Sequence, residues 1–251
     1  MNRLEGKRIV LTGGAGGIGL PLAHQLHKLG AHVTNVDRLP CPAAQADWLT
    51  DLNDDTALAG LAEALGNQPP DILINLAGVL AFGLHEQQDP AQLALCYRIN
   101  LAVPALLARA VAGPMRARGS GQIVNVGSVL GAIPYPWFAA YSSSKAGLAA
   151  LSQGLGRELA GSGVTVTHVA PRAARTAFNN HSVNRFLAVA GMTADDPNDV
   201  ASRICAAMLS GAAQVTVGRM ERLFGLINAI APRIIDRGIA PQLRRLKAEF
   251  S

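Results

Sequence analysis

The chain has 251 residues, 49% of them hydrophobic and 16% charged, which excludes disorder and suffices for the core of one large α/β domain or two small ones. Most of its net charge of +5 lies at the carboxyl end, where residues 219–251 hold seven basic side chains against Glu221, Asp236 and Glu249 and so carry +4. The near-neutral remainder argues against a nucleic-acid-binding surface spread over the fold.

Strand-like and helical runs alternate along the chain. Residues 1–6 lead straight into a β-branched apolar run at 7–12, so no secretory signal is expected at this end. The first strand stops at Thr12-Gly13-Gly14-Ala15-Gly16-Gly17-Ile18-Gly19, and helical spacing then covers 20–29 up to Gly30. Strands are predicted at 31–36, 47–50 and 71–75. A long helical stretch follows at 90–118, with Pro104 and Pro114 as kinks or breaks. A fifth strand at 122–126 precedes a second long helix over 138–160, and 164–169 and 214–217 supply two further strands. The segment 172–193 interrupts this rhythm and reads as an active-site lid or an irregular insertion. No uninterrupted apolar run is long enough to span a bilayer. Cys41, Cys96 and Cys205 are odd in number and scattered, which fits a reduced, cytoplasmic protein. The histidines lack metal-ligating spacing, so no metal is expected.

Apolar strands without strict alternation, separated by helices, predict a parallel sheet covered on both faces. Ligands of such sheets bind beyond the carboxyl ends of the strands, where the strand order reverses. The glycine turn after the first strand permits a tight bend and close approach of backbone to a pyrophosphate, with the following helix directing free N–H groups at it. Two registers fit: Gly13-x-x-x-Gly17-x-Gly19, and Gly14-x-Gly16-x-x-Gly19. Asp37, at the end of the second strand, is placed to accept hydrogen bonds from adenine-ribose hydroxyls and to repel a 2′-phosphate, favouring NAD over NADP. Arg38 is a counter-signal.

Tyr141-Ser142-Ser143-Ser144-Lys145 reads as a proton-transfer pair, because residues four apart share one helix face. Lowering a phenol from about 10 to near 7 takes roughly 4 kcal/mol. One ammonium at about 5 Å, in an effective dielectric near 20, supplies roughly 3 kcal/mol of that.

Together these residues resemble the short-chain dehydrogenase/reductase family, in its compact single-domain branch. The resemblance rests on Thr12-Gly13-x-x-x-Gly17-x-Gly19, Asp51-Leu52, Asn75-Leu76-Ala77-Gly78, Asn100, Ser128 and Tyr141-x-x-x-Lys145, in the family's order, and runs to about residue 218. It implies a Rossmann-type, doubly wound α/β domain of about seven parallel strands over 1–218, with 219–251 as a helical extension. It further implies that Tyr141 is the general acid/base and that Lys145 lowers its pKa and holds the nicotinamide ribose. Ser128 would hydrogen-bond the substrate oxygen, and Asn100 would hold a water in the proton path. Gly13, Gly17, Ile18, Gly19 and Asp37 would bind the dinucleotide, Asp51 and Leu52 would flank its adenine, and Asn75, Ala77 and Gly78 would line its pocket. Pro171 and Thr176 match the segment over the nicotinamide, but Arg172 stands where the family has glycine, either to meet phosphate or to alter how the lid closes. A homodimer or homotetramer is implied as well.

In 219–251, Leu223, Phe224, Leu226, Ile227, Ile230, Ile234, Ile235 and Ile239 fit one or two amphipathic helices interrupted at Pro232 and Pro241. Three readings compete: a cover over the pocket or a neighbouring subunit, a contact with an anionic membrane surface, and a ligand for a partner's groove. The expectation is an NAD(H)-dependent oxidoreductase acting between a secondary alcohol and a ketone on a small, apolar or lipid-like substrate. Its rival is a non-enzymatic dinucleotide-binding regulator or scaffold on the same fold.

Overall fold

The computed structural model describes residues 4–250. Seven strands form one sheet: β1 (Arg8–Thr12), β2 (His32–Asp37), β3 (Ala46–Leu49), β4 (Ile72–Asn75), β5 (Gly121–Val126), β6 (Val164–Ala170) and β7 (Gln214–Thr216). Every neighbouring pair is parallel, in the order β3-β2-β1-β4-β5-β6-β7. The order reverses between β1 and β4, which opens a crevice beyond their carboxyl ends.

The central strands look uniformly apolar because both of their faces are covered. Ile9 and Leu11 of β1 and Ile72 and Ile74 of β4 enter one core layer, while Val10 and Leu73 enter the other. Helices α1 (Gly19–Lys28) and α7 (Pro197–Ser210) close the first layer through Leu22, Leu26, Val200 and Ile204. On the opposite face, α2 (Asp55–Asn67) and α4 (Val103–Arg118) close the second through Leu61, Leu65, Leu107, Val111 and Met115. Each buried Leu or Ile contributes about 2 kcal/mol. The doubly wound α/β architecture expected from the sequence is the one observed.

Differences lie in the helices. Neither α2 nor α7 was predicted, although aspartates cap both: Asp54 accepts from the Ala57 N–H and Asp196 from the Asn198 N–H. The stretch 90–118 is not one helix. It divides into α3 (Pro90–Tyr97), a five-residue π-helical turn at Arg98–Ala102, and α4. Pro104 therefore sits harmlessly in the first turn of α4, and Pro114 is accommodated inside that helix. By length and composition this stretch could cross a membrane, contrary to expectation, yet Leu107, Val111 and Met115 are fully buried against the sheet.

The segment 172–193 is not a bare loop. It contains α6 (His181–Val189), capped by the Asn180 side chain. The carboxyl segment forms α8 (Arg219–Ile230) and α9 (Pro232–Phe250), broken before Pro232 but not at Pro241. A third apolar cluster joins α6 and α9 to the turn before α5 (Ala139–Glu158): Phe186 sits among Tyr135, Trp137, Phe138, Leu246 and Phe250. The Phe138 and Phe186 rings meet edge to face at 5.2 Å. Cys41, Cys96 and Cys205 are buried free thiols.

Candidate active site

The crevice at the switch point is a cleft of about 1000 Å³. Its first wall is the glycine turn. Thr12 fixes the turn against β4, its Oγ1 accepting from the Leu76 and Ala77 N–H groups at 3.1 Å. Gly13 has φ of +78°, and a Cβ there would lie 2.8 Å from the Ala77 Cα. At Gly19 a Cβ would overlap the Gly13 carbonyl oxygen. Both positions therefore require glycine. The first turn of α1 has no side-chain cap and no acidic residue, so its N–H groups face the cleft in the manner that suits a pyrophosphate. Asp37 closes this end, its carboxylate accepting from the Ala15 N–H at 3.2 Å and the Arg38 N–H at 2.7 Å.

The second wall follows β5 and α5. Ser128 starts the turn after β5, its Oγ accepting from the Leu130 N–H at 3.2 Å. Tyr141 lies in the first turn of α5 and Lys145 one turn on, with Nζ 5.9 Å from the centre of the Tyr141 ring. That ammonium donates to the Val126 carbonyl at 3.0 Å, which holds it on the cleft side of β5. Burial pushes the Tyr141 hydroxyl up to about 12, and hydrogen bonding from Ser128 acts in the opposite direction. Desolvation is thus the largest influence on the phenol, with the Lys145 ammonium 5.9 Å from the centre of its ring. Tyr141 nonetheless lines the cleft and is half-buried as a residue. Burial also brings Lys145 down to about 8.

Most of the residues predicted from sequence line this one cleft: Gly13, Gly17, Ile18, Gly19, Asp37, Asp51, Leu52, Ala77, Gly78, Ser128, Tyr141, Lys145, Pro171 and Thr176. Two stand behind its walls. The Asn75 side chain donates to Asn125 Oδ1 at 2.8 Å, across β4 and β5. Asn100, inside the π-helical turn, accepts from the Val79 N–H and donates to the Val79 carbonyl, each at 2.9 Å, and reaches Ser144 Oγ at 3.1 Å. Its side chain thus braces the strand end against α5. Widening of the helix at a functional segment is the usual place for a π turn.

The profile of the short chain dehydrogenase family matches residues 7–185. The chain belongs to that family. It is 28% identical to the ketoacyl reductase HetN of Nostoc sp. over 258 aligned residues, covering 94% of this chain and 89% of that protein. A solved short-chain dehydrogenase from Streptomyces avermitilis superposes with a TM-score of 0.78 at 25% identity, covering 96% of this chain and 98% of the other. A second, a putative NAD(P)-dependent gluconate 5-dehydrogenase from Beutenbergia cavernae with NADP bound at low occupancy, has a TM-score of 0.76 at 27% identity, covering 86% and 96%. The family consists of oxidoreductases that bind a nicotinamide dinucleotide, and the uncapped α1 terminus, the glycine turn and Asp37 of this short-chain dehydrogenase fit that group.

Three features escaped the sequence. The Arg172 guanidinium, at the edge of the cleft, pairs with Glu221 at 3.3 Å and Asp195 at 3.8 Å and donates to Thr193 Oγ1 at 2.6 Å. It thereby ties the base of the lid to α8. His168 lies under Gly127, where burial and the Lys145 charge bring it down to about 4, so the imidazole is neutral. Finally, Phe224, Ile227, Ile234, Ile235 and Ile239 of α8 and α9 line the cleft beyond Tyr141. Their apolar periodicity was legible; which of them would face the cleft was not.

Proposed function

We propose that this short-chain dehydrogenase uses NAD(H) to interconvert a secondary alcohol and a ketone on an apolar, acyl- or lipid-like substrate. One observation carries the reading: Tyr141, Ser128 and Lys145 share a single cleft with the glycine turn and with an apolar chamber of Leu130, Phe138, Val183, Leu187, Met192 and Ile227, and Tyr141 belongs to one apolar cluster with the first five of these. The dinucleotide, when bound, supplies the hydride acceptor or donor. The protein's own groups then do the rest. Ser128 orients the substrate oxygen, and Tyr141 takes the alcohol proton in oxidation or returns it in reduction. Lys145, held by Val126, holds the nicotinamide ribose and favours the phenolate through its charge. The chamber excludes water from the reacting carbon and binds the apolar body of the substrate.

The similarity to a ketoacyl reductase supports the substrate class. A panel of alcohols and ketones of graded chain length, followed by the absorbance of the reduced dinucleotide, tests it. Turnover efficiency should rise with chain length; best rates on small polar hydroxy acids or sugars would overturn the substrate class.

The NAD preference rests on Asp37, whose charge at about 4 Å from a 2′-phosphate costs roughly 1–4 kcal/mol, depending on the local dielectric. Asp37→Ser should therefore improve the NADP-to-NAD ratio of kcat/KM by about 10–100-fold. An unchanged ratio would refute the assignment. We also propose a homodimer or homotetramer, supported by the small-residue surfaces of α4 and α5 and by the exposed Tyr97 and Leu106 beside them. Light scattering showing a monomer at working concentration would contradict it.

A further inference from the structure

A surface helix ordinarily turns its apolar face inward. Helix α8 instead carries apolar residues on two sides: Phe224 and Ile227 line the cleft, while a second apolar set points away from the body. Part of its contact with the body is polar: Glu221 pairs with Arg172 at 3.3 Å, Asn228 donates to the Ala132 carbonyl at 3.0 Å, and Gly225 lies against Ala132. Its large apolar residues Met220, Leu223, Leu226 and Ile230 recur at spacings of three and four and are exposed, Ile230 to 85%. Ile234, at the start of α9, extends the patch and is 59% exposed.

Charge surrounds this patch. Arg219, Arg222, Arg233 and Arg237 are exposed, and none is ion-paired to a described acidic residue. On α9 the positions of Arg233, Arg237 and Arg244 fall along one side of the helix, opposite the buried Leu246. Phe224 and Ile234 are exposed and also line the cleft, so the chamber reaches the surface within this apolar patch.

We infer that the outward face of α8 with the start of α9 docks on a bilayer rich in anionic lipid, leaving the chamber mouth at the acyl boundary. The apolar side chains enter the interface and the arginines meet the headgroups. A second copy of the chain is the poorer occupant. A two-fold contact through this face would bring two segments of net charge +4 together, whereas anionic headgroups neutralise them. Docking rests on this face alone and does not depend on the reaction proposed above.

Flotation of the full chain with vesicles of phosphatidylcholine, alone or mixed with phosphatidylglycerol, tests the inference. Binding should require the anionic lipid and weaken as salt is raised. Leu223→Asp and Ile230→Asp lie outside the cleft lining. Each should lower vesicle affinity at least about tenfold, with melting temperature and dinucleotide binding unchanged. Arg222→Glu with Arg233→Glu should abolish the preference for anionic vesicles. Absence of wild-type flotation with either vesicle would overturn the inference, as would undiminished binding of both aspartate variants. So would a self-associated wild type that Ile230→Asp dissociates while neither protein binds vesicles, because the face would then join copies of the chain.

Discussion

Replacing Tyr141 by phenylalanine should lower turnover at least about a hundredfold in both directions, with melting temperature and dinucleotide affinity unchanged. The ring itself is kept, with Phe178 6.1 Å and the Lys145 ammonium 5.9 Å from its centre. Only the proton-transfer group is removed. The two directions should also differ in pH dependence. Burial holds the phenol up to about 12, so the acid needed for reduction is abundant at neutral pH while the phenolate needed for oxidation is scarce. Between about pH 6 and 8 the oxidation rate should climb by up to about tenfold per unit, and the reduction rate should not rise with it. Near pH 8 Lys145 begins to lose its own proton, which removes the positive charge that favours the phenolate and flattens the climb. Steady-state rates of wild type and Tyr141→Phe across that range decide the matter. Equal rates in the two proteins would return the chain to its rival reading as a non-catalytic dinucleotide-binding regulator or scaffold.

Substituting Gly19 by alanine should abolish measurable dinucleotide binding, a loss of about a hundredfold or more, and destabilise the protein by about 2–3 kcal/mol. The added Cβ would overlap the Gly13 carbonyl oxygen and come within 2.7 Å of the Gly14 Cα, both backbone atoms of the turn that must cradle the pyrophosphate. Backbone cannot rotate aside as a side chain can, so the turn itself must open. Two controls separate this steric argument from a general aversion to alanine. Gly16→Ala meets its nearest atom, the Gly13 oxygen, at 3.2 Å and should be milder. Gly154→Ala, inside α5 with nothing within 4 Å, should stabilise by about 0.5–1 kcal/mol. Fluorescence titration with reduced dinucleotide and denaturant melts measure both quantities. Normal binding by Gly19→Ala would refute the cradle.

The strands, the glycine turn and the Tyr141–Lys145 pair were legible in the sequence because each is a local pattern. A β-branched run halted by glycines reads as a strand and its turn, and two residues one helical turn apart share a face wherever that helix lies. Asp37 was legible for a similar reason, since the end of a strand fixes its distance from the next turn. Helices α2 and α7 were equally local in principle, and the aspartate caps at Asp54 and Asp196 were the signals left unused.

Other features depended on what the chain packs against. Asn75 and Asn100 belong to the same motifs as their neighbours, but pairing with Asn125 and with the Val79 backbone turns their side chains behind the cleft walls. The balance at Tyr141 is of this kind too: spacing reveals the ammonium, while desolvation is set by every element closing around the ring. Arg172 meets Glu221 across 49 positions of chain only because α8 returns to the lid. The amphipathic character of α8 was visible in one dimension, yet which face met protein was decided by Glu221 and Asn228 finding partners in the body. Hydrophobic periodicity is a property of a helix alone; inward and outward exist only once something else has packed beside it.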